Sequence, residues 1–475
     1  MNTNELLDSI VKDAQKGYRF AVTEKVEALI KENALIGKHW GALARICILV
    51  GAKELAMETA QRYLNVMNSN DAKLSVAGVF AELNEMDKAF ELVNSISKRS
   101  WGGREYHFAG VCLSQLGELD SAKENFLLAL KLQPLSGPTW LSLLALNLDD
   151  DTIEKQLLNI EPDILKTEPL NLSQFLFAKA MLLERKNKTS EQIKTLEKAN
   201  ELLNSENSNF VENQKNITTQ IISNQDQAFF DLFPTSSATA DFDPVFIIGL
   251  PRSGTSLLEQ ILVSNRQYLA GGELNFSQRS LPSIPIQHFN RLESQNVDNE
   301  VKINVIDQFH NEFNWLLKQH FGDIKSKVID KTLDLNKYAG LLSKAFPQSK
   351  FVYISRDKQE NSWSCYKNFF RTNLPWSYDL TNINAFFDSE TKLIQHWLKM
   401  MPSRIHCLKY EELINNPESE LKSLCKFLNI EYSNEMLNFY KNKTINKTVS
   451  FAQVKQPLNN KSLVLNSEIK KFLTN

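Results

Sequence analysis

The apolar run PVFII (244–248) passes directly into Gly249-Leu250-Pro251-Arg252-Ser253-Gly254-Thr255-Ser256 and then into the stretch LLEQIL. A short apolar run that ends in glycine and hands over to a helical pattern predicts strand, turn and helix in that order, the opening unit of a parallel α/β sheet. Gly249 and Gly254 bracket four residues, the spacing of a loop that cradles phosphate. Backbone N–H groups in such a turn, together with the N-terminus of the following helix, attract an anion without any charged side chain. Arg252 adds a planar cation, and Ser253, Thr255 and Ser256 add hydroxyl donors. A tight turn with no ligand is the alternative; the strand before it, the helix after it and the three hydroxyls weigh against it. Yet Thr255 stands where a nucleoside-triphosphate loop carries its lysine, so the outer phosphates and their magnesium are poorly served. The loop suits a shorter anion, such as one phosphate bearing one further group.

Three later segments repeat the pattern: SKVID (326–330), KFVYISRD (350–357) and RIHCLKYEEL (404–413). Each apolar run is too short for a buried helix and ends in polar residues. Between them lie the helical stretches TSLLEQILVSN, YAGLLSKAF and TKLIQHWLKM. This alternation predicts a parallel sheet with helices on both faces. Ligands of such sheets sit at the carboxyl ends of the strands. The polar clusters LPRSGTS, DKTLD, SRDKQENSWS and KYEEL all follow a strand, so one shared pocket is expected.

The first two hundred residues obey a different period. Tyr106, Gly110, Gly117, Ala122, Phe126, Ala129 and Pro134 stand at the spacings of a tetratricopeptide helix pair, and Trp140 falls 34 residues after Tyr106. Trp40, Gly51 and Ala56 fit the same template, the stretch from Ala77 echoes it, and a degenerate unit covers about 175–203. Stacked hairpins of this kind bury a continuous core and leave a concave groove suited to peptides. Four or five helix pairs and a protein or peptide partner are expected, with the aromatic and aliphatic stripes serving as core. At 475 residues the chain exceeds one ordinary core. The division expected is 1–210 helical repeats, 211–243 linker or capping helix, and 244–475 the α/β domain; FPTSSATADFDP (233–244) is rich in turn formers.

Composition narrows the function. A net charge of −2 argues against a general nucleic-acid binder. No run approaches a membrane span, and the N-terminal residues lack a secretory apolar core. The five cysteines are scattered, odd in number and free of CxxC spacing, so free thiols in a cytoplasmic, reducing compartment are expected. No spacing of His, Cys or acids suggests a metal site.

Arg356 closes the run KFVYIS, and Ser364 lies eight residues on. With that pair and PRSGT in order, the chain resembles the sulfotransferases, above all the tyrosylprotein-sulfotransferase-like family found behind tetratricopeptide repeats. The resemblance implies an all-α tetratricopeptide solenoid followed by an α/β P-loop-type parallel-sheet sulfotransferase domain. It implies that 252–256 bind the 5′-phosphosulfate of 3′-phosphoadenosine 5′-phosphosulfate and that Arg356 and Ser364 bind its 3′-phosphate, with no metal. Glu273, in LAGGELNF, corresponds to the family's catalytic carboxylate, the base for a hydroxyl acceptor; the repeats suggest a protein tyrosine, while a sugar, a lipid head group or a metabolite stays open. Arg252 and Lys331 would stabilise the bridging oxygen as its bond to sulfur breaks. Tyr410 matches a tyrosine that contacts the nucleotide, and Ser450, in SFAQVKQP, resembles the serine just ahead of a segment that closes over the donor; Lys455 would add charge to the same pocket. The resemblance also allows a homodimer.

The chain departs from the family in three places. Lys358 replaces a proline, the tryptophan expected after QVKQPL is missing, and the cysteines flanking the glutamate and lysine in the secretory enzymes are absent. The altered C-terminal segment motivates one alternative, a repeat scaffold with a degenerate transferase domain. A P-loop kinase is another, disfavoured by Thr255.

Overall fold

The protein is described from a computed structural model covering residues 3–474, except 149, 161–167, 205–208, 239–243, 281–298, 323–325, 371–373, 442–456 and 459–464. Twelve α-helices occupy Thr3–Glu201 among the described residues, six pairs where the sequence suggests four or five. The extra pair is Thr3–Lys16 with Arg19–Lys31. It joins through Ile10, Val22, Val26 and Leu29, larger residues than the glycines and alanines that mark the later hairpins. Within 211–243 the chain forms a long helix, Phe210–Asn224, and a short one, Gln227–Leu232.

The chain folds into two compact units. The first comprises Met1–Leu132, Ser236–Ala240 and Asn275–Lys325; the second comprises Gln133–Thr235, Asp241–Leu274 and Ser326–Asn475. In the first unit the helix Asn299–Phe321 packs on the opening repeats. Arg19 Nε lies 3.2 Å from Glu312 Oε2, and the two side chains are only 3% and 5% exposed. The Phe20 and Trp315 rings meet edge to face at 5.6 Å, and Trp315 adds to the core of Ile10, Val22, Trp40 and Leu43. Ser236 and Ser237 donate to the Asp307 carboxylate at 2.6 and 2.7 Å.

The second unit contains the sheet. Its strands are β1 (Val245–Ile248), β2 (Tyr268–Ala270), β3 (Lys327–Asp330), β4 (Lys350–Ser355) and β5 (Ile405–Lys409), in the order β2-β3-β1-β4-β5. Every neighbouring pair is parallel; Val245 stands beside Ile329 on one side and Lys350 on the other. Alternation along the strands builds two faces. Val245, Ile247, Ile329, Val352, Ile354 and Leu408 pack with Leu258, Ile261 and Leu262 of the helix Thr255–Val263 and with Leu421 and Leu424 of Pro417–Leu428. On the opposite face Phe246 stacks on Phe351 at 5.2 Å and meets Phe346 at 6.2 Å. The last repeat pair, Pro169–Arg185 with Thr189–Glu201, shares a core with the helix Lys358–Tyr366, with Trp376 and with the C-terminal helix Ser467–Thr474.

The order of strands fixes where a ligand can sit. From β1 the chain runs outward to β2 and returns through β3. It then crosses to β4 on the other side of β1 and continues to β5. The connections after β1 and β4 therefore leave in opposite directions, and a crevice opens between the carboxyl ends of these two strands. Among the described residues no helix is long and apolar enough to cross a membrane.

Candidate functional site

All five strands are parallel, so all five carboxyl ends share one edge. Glu273 follows β2, Lys331 follows β3, the loop 249–254 follows β1, Arg356 follows β4 and Tyr410 follows β5. At about 4.8 Å between neighbouring strands, that edge spans roughly 19 Å.

The loop after β1 is a tight turn. Ser253 N donates to Leu250 O at 3.1 Å, and Leu258 N donates to Gly254 O at 3.0 Å as the helix begins. Arg252 adopts φ +69°, a left-handed conformation that a non-glycine residue holds at a cost. Gly254 has φ +108°, and a Cβ there would come within 2.7 Å of the Tyr410 ring. Only glycine combines that dihedral with that approach. Ser253 and Ser256 are buried, and Ser253 Oγ has no hydrogen-bond partner among the described residues. Burying a hydroxyl in that way is unfavourable unless something satisfies it.

The segment after β4 meets this loop directly. Arg252 Nε donates to Ser364 Oγ at 3.1 Å, and Arg356 Nη1 donates to the Arg252 carbonyl at 3.2 Å. Arg356 lies over the Tyr410 ring at 4.8 Å and 3.5 Å from Glu360 Oε2. Asn361, its amide nitrogen turned to the loop, donates to the carbonyls of Pro251 (2.9 Å) and Arg252 (3.3 Å). Burial lowers the pKa of the Arg252 guanidinium, and the adjacent Arg356 works in the same direction. Burial also pushes the Cys365 thiol up to about 12, which leaves it a neutral packing group beneath the loop. Two arginines linked through the Arg252 backbone carbonyl bring positive charge to this turn and favour an anion there.

The other end of the edge is built from carboxylates and one lysine. Lys331 Nζ is 3.6 Å from Glu273 Oε1; the lysine side chain is 1% exposed and the glutamate 37%. The ammonium has no hydrogen-bond acceptor among the described residues. The turn ahead of Glu273 is tied to β3, with Gly271 N donating to Ile329 O at 2.8 Å and Lys331 N donating to Gly272 O at 3.0 Å. A Cβ on Gly271 would fall 2.2 Å from Ile329 O, which is why residue 271 is glycine. Asp330 Oδ1 accepts from Thr332 N at 2.9 Å and from Thr332 Oγ1 at 2.6 Å. Burial raises the Asp330 pKa to about 6, with the Thr332 hydrogen bonds opposing.

Sequence reasoning located Arg252, Ser253, Gly254, Thr255, Ser256, Arg356, Ser364 and Tyr410, and these gather at one crevice; Glu273 and Lys331 pair at the neighbouring strand ends. Ser450 and Lys455 lie outside the described residues. It missed Asn361, Glu360, Asp330 and Glu259. Asn361 and Glu360 carried a signal in their place between Arg356 and Ser364 on one short helix. Lys358 begins that helix and pairs with Asp388 at 2.7 Å.

Residues 244–434 match the model of the Sulfotransferase family, and residues 106–134 that of the tetratricopeptide repeat. Over 243 residues the chain is 28% identical to an uncharacterised protein of Aquifex aeolicus, an overlap of 49% of this chain and 31% of that protein. Over 221 residues it is 27% identical to Protein-tyrosine sulfotransferase A of Caenorhabditis elegans, covering 45% of this chain and 56% of the relative. The chain thus spans less than two thirds of the length of either relative. Among solved structures it is similar to the sulfotransferase domain of the Synechococcus PCC 7002 olefin synthase, with 18% identity, 51% of this chain and 96% of that chain covered, and a TM-score of 0.36.

Proposed function

We propose, from the match of residues 244–434 to the Sulfotransferase family model, that the protein moves a sulfuryl group from 3′-phosphoadenosine 5′-phosphosulfate to a hydroxyl acceptor. The observation that carries the proposal is the meeting of two anion-binding segments, Arg252 with Ser364 at 3.1 Å and Arg356 with the Arg252 carbonyl at 3.2 Å. A donor of this class carries a phosphosulfate at one end and a separate 3′-phosphate on its ribose. Two adjoining cradles without a Walker lysine suit it better than they suit a triphosphate. Two of the chain's own groups fit such an anion: the buried Ser253 hydroxyl, which lacks a hydrogen-bond partner among the described residues, and the Lys331 ammonium, which is ion-paired with Glu273 at 3.6 Å but makes no hydrogen bond among them.

In this reading residues 252–256 hold the phosphosulfate, Arg356 and Ser364 hold the 3′-phosphate, and Tyr410 flanks the nucleotide beside Arg356. The donor supplies sulfur with a good leaving group, the bridging phosphate oxygen. Lys331 and Arg252 stabilise negative charge as it accumulates there. Glu273 takes the acceptor proton. A carboxylate is a weaker base than a phenolate, so it takes the proton only as the oxygen bonds to sulfur. The 3.6 Å ion pair keeps Glu273 and Lys331 together before reaction.

The acceptor we infer is a protein or peptide hydroxyl, tyrosine foremost. The likeness to a relative named Protein-tyrosine sulfotransferase A and the repeats, whose stacked hairpins suit peptides, support it. Purified protein incubated with radiolabelled donor and cell extract tests the proposal. Label is expected in the protein fraction and is expected to vanish with Glu273→Gln. Transfer to no fraction at all overturns the sulfotransferase reading; transfer to glycan or small metabolites alone overturns the acceptor.

A further inference from the structure

We infer that Glu259 is a positioning residue for this transfer, one that holds the turn carrying Glu273 in fixed relation to the anion loop; the inference rests on the sulfotransferase reading of the site. Glu259 sits four residues beyond Thr255, on the helix Thr255–Val263 that the anion loop opens. Its Oε1 accepts from Gly272 N at 2.7 Å. With the two bonds to β3 described above, the turn Gly271–Gly272 is anchored on two sides, to the strand that leads to Lys331 and to the helix that begins at the loop. One rigid element therefore carries the anion loop at its start and grips the base's turn one helical turn later.

The cost of this arrangement argues that it serves a purpose. Glu259 is 2% exposed, and its helix neighbours Leu258, Ile261 and Leu262 are fully buried. A leucine in that place would bury as well without removing a carboxylate from water. The groups that face Glu259 are Lys331, Asp330 and Glu273. Burial drives its pKa up, Lys331 and the Gly272 N–H oppose, and Asp330 and Glu273 add to the rise. A carboxyl oxygen accepts the Gly272 N–H whether the group is charged or neutral. The positioning role is therefore one of shape and hydrogen bonding, and glutamine meets it equally well. Misplacing a reacting group by about 1 Å costs roughly 100-fold in rate, so losing the anchor shows in turnover.

Two substitutions separate the possibilities. Glu259→Leu fills the space without an acceptor; Glu259→Gln keeps the acceptor without the charge. Expected is a fall in kcat of roughly 10- to 100-fold for E259L, unchanged affinity for 3′,5′-adenosine bisphosphate, and faster amide exchange at Gly272 and Glu273. E259Q should restore kcat and exchange to within about threefold of the parent protein. Parental kcat in E259L overturns the inference, and so does an E259Q defect as deep as that of E259L, which would assign the effect to charge. Should E259L fail to fold, E259Q decides alone: kcat and exchange within about threefold of the parent support the inference, and a fall in kcat of roughly 10-fold or more overturns it. A parent protein that neither binds the bisphosphate nor turns over donor overturns the sulfotransferase reading first, and the inference with it.

Discussion

Arg356 shows how much one side chain carries in this site. It touches the backbone of the anion loop, lies over Tyr410 and pairs loosely with Glu360. If it holds the 3′-phosphate as proposed, removing it deletes a charge-assisted contact worth about 1.5–3 kcal/mol. Arg356→Ala is expected to weaken 3′,5′-adenosine bisphosphate binding by roughly 10- to 100-fold, read from competition against labelled donor. Unchanged affinity would remove the arginine from the phosphate site. Asp330 makes a separate prediction about pH. An aspartate in the unfolded chain loses its proton near 3.8, whereas burial holds the folded Asp330 to about 6. Between those values the folded state binds the extra proton. The contribution to stability is complete below the lower value and is lost as pH rises through about 6. Asp330→Asn keeps an acceptor for Thr332 and removes the titration, so urea midpoints from pH 4 to 7 should slope downward less steeply in the variant. Parallel slopes would refute the assignment.

The elements differ in how openly the sequence announces them. β1, β3, β4 and β5 are legible because each is a short apolar run closed by polar residues, which no buried helix can be. β2 has only Tyr268–Ala270 between Gln267 and two glycines, too few residues to establish an alternation. The anion loop is legible from its glycines, since turn chemistry is local. Gly254 carries that chemistry most sharply: Gly254→Ala would place a Cβ 2.7 Å from Tyr410 at φ +108°. We expect about 1–2 kcal/mol of lost stability from the dihedral alone, measured by denaturant unfolding, together with loss of bisphosphate binding. Glu259 was illegible for the opposite reason. In sequence it is one more glutamate on an amphipathic helix, and only the fold reveals that it faces inward to Gly272.

For the molecule as a whole, the least legible feature is the membership of Asn275–Lys325. This segment lies between β2 and β3 in sequence, yet it joins the compact unit built by the first repeats. Contacts across 260 or more residues, such as Arg19 with the Arg279 carbonyl, leave no local periodicity to read. A fragment 244–475 would carry the helix Asn299–Phe321 without the repeats that cover Trp315, so it is expected to aggregate on expression. A soluble, monodisperse fragment would contradict that. Within the intact chain, Arg19→Met strands the buried Glu312 carboxylate and should cost about 3–5 kcal/mol, whereas Arg19→Met with Glu312→Leu should recover most of it in urea unfolding.

The proposed function depends on two anion cradles that meet between β1 and β4 and would together hold a bisphosphorylated adenosine. Calorimetric titration of the intact protein with 3′,5′-adenosine bisphosphate, run beside ATP with magnesium, addresses that dependence without requiring the acceptor. Saturable one-to-one binding of the bisphosphate, with ATP much weaker, is the expected result. No binding of the bisphosphate, or a preference for ATP with magnesium, would remove the basis for a sulfuryl donor at this site.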